Sequence, residues 1–419
     1  MTTATMAAIG ARPAFGLDRA ALWLLLGFVA SLQISIAAAG ILLTGALLAW
    51  AALLVRDRAR PAAPAFMLPL VLYAGATLAS AAFSLDPMAS FIDSKQLVLL
   101  LIVPMVYQVA RGRNAALVID VILAVGAVSA AVGIVQYGLL HYDSLRLRPQ
   151  GALSHYMTYS GTLMLVLCTA VARLVFGSRD RIWPALVMPA LVVALAVSLG
   201  RNAWVGACVA VAVLLALRDF RLTALLPVAI AVVFALAPDS VTSRMMSMFD
   251  LRDPSNQDRI AMLEVGKGIV RDHPLTGVGP TMVQRVYPQY RPDYAIQPVN
   301  PHLHNVPVQI AAERGIPALA IFLWFVVSLG LGLVRLVRGS SDRLLPAAAL
   351  AALSAMLAAG LFEYNFGDSE FLMLFLVLIT LPFAALSGER GPDPSTSSGS
   401  PRAESRGDNA RATAATRTA

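Results

Sequence analysis

The 419 residues are 58% apolar and 13% charged, with a mean hydropathy of +0.72, which excludes an ordinary soluble domain and makes lipid the main solvent. The net charge of +8 does not imply a nucleic-acid partner, because a membrane protein with basic cytoplasmic loops and a basic tail carries such an excess anyway. Cys168 and Cys208 both fall inside apolar runs, so neither a disulfide framework nor a thiolate metal centre is expected.

A bilayer core takes about 20 mostly apolar residues per helix. Uncharged runs cover 20–55, 61–85, 96–110, 121–140, 149–172, 182–200, 202–217 and 222–238, then 316–334, 344–362 and 371–388. The first run is too long for one crossing and is expected to fold as a hairpin near Ala37 to Gly40; it reads as an anchor, not as a cleaved leader. The runs 96–110 and 202–217 are short and must borrow flanking residues or tilt. The expected fold class is all-α, a polytopic membrane protein of about 12 transmembrane helices. Residues 1–19 form a cytoplasmic N-terminus, 20–238 the first nine spans, 239–314 a periplasmic loop, and 315–387 the last three spans. The polar tail 388–419, rich in Ser, Thr, Pro, Gly and Arg, is expected to be disordered and cytoplasmic.

Orientation follows from the basic residues of the short loops. Arg56, Arg58 and Arg60, then Arg111 and Arg113, Arg179 and Arg181, Arg218 and Arg221, and Arg335, Arg338 and Arg343 fall on alternate turnings, which places them in the cytoplasm. Other cations then land outside, where orientation gives no reason for them: Lys95, Arg146, Arg148, Arg201, Arg244, Arg252, Arg259, Lys267, Arg271, Arg285, Arg291 and Arg314. Most read as solvated loop charge, balanced by Asp250, Asp253, Asp258, Asp272 and Asp293. Arg201 is different, since it stands between two apolar runs with hardly a loop to hold it. A guanidinium so close to hydrocarbon either snorkels or binds an anion, and the second reading is favoured.

Within the outer segment two helices are expected, joined by an irregular stretch. The first is capped by Ser255 and Asp258 after Pro254, shows one apolar face through Ile260, Leu263 and Ile269 or Val270, and ends at His273-Pro274. The following Pro-Leu-Thr-Gly277-Val-Gly279 reads as a turn and is weak evidence for phosphate binding. Pro288, Pro292, Pro298 and Pro301 keep the next part extended, and the second helix begins near Asn305 with Pro307 in its first turn.

The strongest local constellation is Asn300-Pro-His302-Leu-His304-Asn305, then Gln309 and Glu313, where the outer segment re-enters the membrane. A His at a helix N-terminus is kept neutral by the dipole and available as a base, which suits His304; His273, at a helix C-terminus, is in the opposite field. Two His one residue apart could also ligate a metal, but no third ligand is adjacent and no Asp-x-Asp pair lies outside, so no metal and no cofactor are expected.

These residues look familiar in their order. Arg201-Asn-Ala-Trp-Val-Gly206 after a span, Asp258-Arg-Ile260 with His273-Pro-Leu-Thr-Gly-Val-Gly279, and His302-Leu-His-Asn305 with Gln309 and Glu313-Arg-Gly315 resemble the O-antigen ligase and polymerase superfamily. The likeness runs from about Ser198 to Phe322, and Asn365-Phe-Gly-Asp368-Ser-Glu370 before the last span is also similar. The N-terminal third matches only as hydrophobic spans.

The resemblance implies a GT-C-like membrane glycosyltransferase working in the periplasm of a bacterial inner membrane. Its donor would be an undecaprenyl-diphosphate-linked glycan. In a ligase the acceptor is a sugar hydroxyl of lipid A-core, and transfer proceeds with inversion and without metal. By motif, Arg201 and Arg259 would neutralise the diphosphate and His304 would be the general base; His302, Asn305, Arg148, His155 and Arg271 are the candidate substrate-binding residues. Two guanidiniums can meet a developing diphosphate charge in place of a metal. Donor and acceptor both keep their chains in membrane lipid, so the site must lie at the membrane surface. A ligase is favoured on the paired His and the Asn-Phe-Gly-Asp-Ser-Glu element. A repeat-unit polymerase or a protein O-oligosaccharyltransferase shares the motifs. A lipid-linked glycan transporter would be expected to show internal repeats and charges deep in spans.

Overall fold

A computed structural model describes residues 16–178 and 181–389; Arg179 of the third basic loop, the first 15 residues and most of the polar tail lie outside the described residues. Of the described residues 76% are helical, and there is no strand among them, as an all-α fold requires.

In chain order the α-helices are α1 (Leu17–Ser31), α2 (Ile36–Arg56), α3 (Met67–Ala82), α4 (Pro87–Asp93), α5 (Ile102–Val109), α6 (Asn114–Gly138), α7 (Tyr156–Phe176) and α8 (Ile182–Val197). They continue as α9 (Arg201–Arg218), α10 (Leu225–Leu236), α11 (Asp239–Met246), α12 (Pro254–Asp272), α13 (Val283–Tyr290), α14 (Val306–Gly339), α15 (Leu344–Ala359) and α16 (Ser369–Glu389). A 3-10 stretch, Ser94–Leu101, joins α4 to α5 in one apolar rod from Pro87 to Val109. Among the described residues, seven helices or rods are long and apolar enough to cross a membrane, and four shorter apolar helices lie between them.

Burial ranks the helices. In α7 and α16 about three-quarters of the apolar window is inside the protein (78% and 72%), so these two form the centre. In α10 no residue is buried, and Leu225, Val228, Val232 and Leu236 face outward, as expected of a helix whose neighbour is lipid. The ion pair of Arg173 in α7 with Asp120 in α6 ties two apolar helices together.

The opening hairpin turns at Leu32–Ser35, ahead of the expected Ala37 to Gly40. Ser35 is extended and its hydroxyl accepts the Ala38 amide at 3.4 Å, which starts α2; the alanines that follow are strong helix formers and carry Gly40 along.

The outer segment holds more helix than the expected two. Pro288 does not keep its stretch extended: α13 buries Val283, Val286 and Tyr287 on one face, and this packing outweighs the one hydrogen bond that Pro288 forfeits. The cap of α12 is Asp253, whose carboxylate accepts the amides of Ser255 and Asn256 at 3.0 and 3.3 Å, rather than Ser255 itself. The buried face of α12 is Ala261, Met262, Val265 and Ile269, while Ile260 and Leu263 are exposed. It packs with Val283, Val286, Tyr287 and Leu303 into a small core of its own outside the bundle.

As expected, α14 begins at Asn305, whose Oδ1 accepts the Val308 amide at 3.0 Å, with Pro307 in the first turn. It breaks at Gly315, where φ is +83° and a Cβ would collide with the Leu275 carbonyl. The Gly277-Val-Gly279 turn lies against this break. The Val278 and Gly279 amides donate to the carbonyls of Ala312 and Glu313 (3.0 and 2.9 Å), and the Thr281 amide donates to the Glu313 carboxylate at 2.9 Å. The two glycines thus serve as a clamp on α14.

Candidate functional site

Helices α7, α9, α14 and α16 begin, and α15 ends, at one end of the bundle, under α11 and α12. Two adjoining cavities lie there, sharing Met157 and Asn202 in their walls.

The first is an arginine cavity. The turn Ser198–Gly200, with Leu199 at φ +56°, joins α8 to α9 without a loop and sets Arg201 in the first turn of α9. A cation there opposes the helix dipole, and Arg201 is also only 6% exposed, so it needs partners. It donates to the Ser247 carbonyl and hydroxyl (both 3.1 Å), to the Ser255 hydroxyl (3.0 Å) and, weakly, to Asp253 (3.4 Å). Asp253 is shared with Arg244 at 3.7 Å, and among the described residues Arg259 reaches only the Ser255 hydroxyl, at 3.4 Å. Arg148 completes the group, its guanidinium 4.2 Å from the Tyr156 ring.

Four guanidiniums therefore line one cavity with a single carboxylate. Burial, then the surrounding Arg201, Arg148 and Arg259, push the Arg244 guanidinium down to about 10. Burial and Arg201 lower Arg259 likewise, and burial lowers Arg148. All remain charged near neutral pH, and the buried Nε atoms of Arg244 and Arg259 have no partner among the described residues. The chemistry that satisfies such a group is a multivalent anion.

The second cavity is built on His302, Glu363 and Asp368, with His155, Thr158 and Asn365. His304 Nδ1 lies 2.8 Å from Glu363 Oε2, and the two imidazole rings stand edge to face with centroids 4.2 Å apart. Burial, helped by His304, pushes His302 down to about 4, so it is neutral at physiological pH. Burial alone would raise the Glu363 carboxyl, but its bond to His304 and the nearness of both rings bring it below the usual range. Asp368 is raised by burial; its Oδ2 accepts the Thr158 hydroxyl at 2.5 Å and its Oδ1 caps the Phe371 amide at 2.9 Å.

Nitrogen and oxygen atoms of His302, His304 and Glu363 lie within 4.8 Å of one another, close enough to surround an ion. The contact between His304 and Glu363 is itself at hydrogen-bond distance, as for a ring N–H held by a carboxylate.

Of the residues singled out in the sequence, Arg201, Arg259 and Arg148 meet in the first cavity. His302 and His155 line the second, with His304 against its Glu363 wall. Asn305 works as a cap and as a tie, its Nδ2 donating to the Leu361 carbonyl at 3.0 Å. Arg271 stands apart: its side chain is 79% exposed, pairs with Asp272 and lines neither cavity. Arg244, read as loop charge, is buried in the cluster. Glu363 was not singled out, although it is the only carboxylate between Asp342 and Asp368 and stops the apolar run 344–362.

Residues 185–323 match the family model described as O-Antigen ligase, whose members are glycosyltransferase-like enzymes of polysaccharide biosynthesis. No curated protein matches the chain. The matched segment holds Arg201, Arg244, Arg259, His302 and His304, and stops short of Glu363. A family-level match thus joins the ordered motifs and the membrane-spanning helices in placing this chain's likeness with the O-antigen ligase and polymerase superfamily.

Proposed function

We propose that the protein is an O-antigen ligase, moving a glycan from undecaprenyl diphosphate to a sugar hydroxyl of lipid A-core. The observation that carries this reading is the pairing of cavities, four arginines around one carboxylate next to a His and carboxylate wall. The donor diphosphate sits among Arg148, Arg201, Arg244 and Arg259. The acceptor hydroxyl oxygen attacks the anomeric carbon from the opposite side. Its proton passes to His304, the bond from the anomeric carbon to the phosphate oxygen breaks, and the electron pair leaves on the diphosphate. The configuration inverts, and the guanidiniums meet the charge that develops on the leaving oxygen.

The same reading makes twelve crossings of the inner membrane from α1, α2, α3, the Pro87–Val109 rod, α6 to α10, the part of α14 after Gly315, α15 and α16. The shorter helices are accommodated by local thinning of the bilayer. Residues 239–314 and the 360–368 loop then face the periplasm. Reporter fusions at Asp250 and Tyr290 test this, with periplasmic signals expected; a cytoplasmic signal at Tyr290 sinks it.

The chemical function is tested by the lipopolysaccharide of a deletion strain. A ligase leaves free core and accumulated lipid-linked polymer. Core carrying a single repeat unit means a polymerase, and unchanged lipopolysaccharide with loss of glycan from protein means an oligosaccharyltransferase.

A further inference from the structure

We propose that Glu363 is the positioning residue of the reaction: its carboxylate holds the Nδ1 proton of His304 and leaves Nε2 as the atom that takes the acceptor's proton. This rests on the reading of His304 as the base. An ionised carboxylate only accepts hydrogen bonds, so at 2.8 Å His304 Nδ1 must be the donor, and in a neutral ring Nε2 is then the acceptor.

The pairing is built by the backbone. Glu363 is 7% exposed and its other oxygen, Oε1, accepts the Tyr364 amide at 3.0 Å, so the carboxylate is fixed at both ends. His304 is in the left-handed region at φ +46°, a conformation held from both sides. The Leu303 amide donates to Gln309 Oε1 at 2.7 Å, and the Val306 amide donates to the Gly360 carbonyl at 2.7 Å. With the tie from Asn305 to Leu361, the segments 303–306 and 360–363 are stitched together around the contact between His304 and Glu363.

His302 does not compete for this role, since its Nε2 is 3.8 Å from Glu363, beyond a hydrogen bond. The titratable and charged groups around the pair are His302, Tyr364, His155 and Asp368 on the cavity side, and Arg259 across it. When Nε2 takes the proton, the imidazolium lies directly against the Glu363 carboxylate, and no further proton needs to move.

The test uses the full-length protein in nanodiscs, a polyprenyl-diphosphate-linked oligosaccharide and lipid A-core, from pH 5 to 8.5. Glu363→Gln is expected to lower kcat by roughly 10²- to 10⁴-fold, the range seen when an orienting carboxylate is lost. Donor KM should stay within about twofold, so that the loss falls on kcat and not on donor binding. Glu363→Asp should restore part of kcat. His304→Asn, chosen because Asn tolerates a left-handed backbone, should abolish turnover at every pH in this range.

Wild-type kcat in Glu363→Gln overturns the proposal. So does a fall in kcat that Glu363→Asp does not restore and that comes with a matching loss of thermal stability, which would mark a purely structural role. Loss of wild-type activity in chelator with recovery on added zinc would mean that Glu363 and the two His hold an ion instead. An active His304→Asn refutes the base itself, separately from anything Glu363→Gln does.

Discussion

The two cavities share a wall but are sorted by sign. Among the described residues, the arginine cavity gathers guanidiniums from the 148 loop, α9, α11 and α12 around Asp253 alone, whereas the histidine cavity has Glu363 and Asp368 in its wall and neither Arg nor Lys. In the proposed transfer a proton and an electron pair part company. The proton arrives beside the carboxylates, and the pair leaves toward the guanidiniums. A single mixed-sign pocket would satisfy its own charges internally and have little left for either fragment. The separation also suits the substrates, because a diphosphate is excluded from the acidic side and an uncharged sugar hydroxyl is not.

The sharpest way to break this picture is to remove the base. His304→Ala is expected to lower turnover by about 10²- to 10⁴-fold while donor binding through the arginines survives. His302→Ala and His273→Ala should cost far less, because His302 is held neutral in the wall and His273 caps the end of α12. Near-normal turnover in His304→Ala would leave the histidine cavity without its assigned chemistry.

Next in size is the loss of a guanidinium. Arg201→Ala and Arg259→Ala should each lower kcat/KM by about 10²- to 10³-fold, as for loss of one donor to a developing oxyanion, and Lys should recover little because it offers a point charge where a planar fork is needed. Thermal unfolding measured in parallel separates the two variants. Arg201 also ties α9 to Ser247 and Ser255, so its loss should lower Tm, whereas Arg259 makes only one long contact. Transfer at the wild-type rate by both variants at normal expression would refute a diphosphate site.

A smaller effect is expected from the clamp that supports the histidine side. Gly277 has φ +65°, and a Cβ there would collide with the backbone carbonyls of Ala312 and Glu313. Gly277→Ala should destabilise the protein by about 1–3 kcal/mol, read as a lowered Tm. It should also reduce kcat more than donor affinity, since His304 leads directly into the first turn of α14 and the arginine cavity does not rest on that helix. A loss of donor affinity as large as that of kcat would mean that the cavities are not mechanically separate.

Much of this was legible in the sequence where the signal is local. The apolar runs mark the helices, Asn305 with Pro307 marks the start of α14, and Arg201 is conspicuous because nothing in its neighbourhood can hold a charge. What stayed hidden depends on partners far along the chain. Glu363 meets its His 59 residues away, and Arg244 looks like any loop cation until α11 folds over the site. Pro288 misled because a proline rule is local while the burial of Val286 and Tyr287 is not. Asp253, taken for a balancing loop charge, is at once the cap of α12 and the one carboxylate of the arginine cavity.

Arg271 gives the smallest expected effect and the cleanest contrast. It carries the same charge as Arg259 on the same helix, and in the sequence both belong to one outer basic segment. They are twelve residues apart, which is about 18 Å along α12. Arg259 faces the cavity, whereas Arg271 is exposed and its charge is already met by Asp272 at 3.0 Å. If only the general positive field of the outer segment mattered, removal of either charge would weaken donor binding to a similar extent, and added salt would erase the difference. If the cavity matters, Arg271→Ala should change kcat/KM by less than about twofold, as for an exposed and screened ion pair, and the large loss in Arg259→Ala should persist at high salt. The measurement is donor kcat/KM for the two variants at low and high ionic strength. A tenfold loss in Arg271→Ala, abolished by salt in both variants, would replace the two-cavity account with diffuse attraction to the anionic lipid.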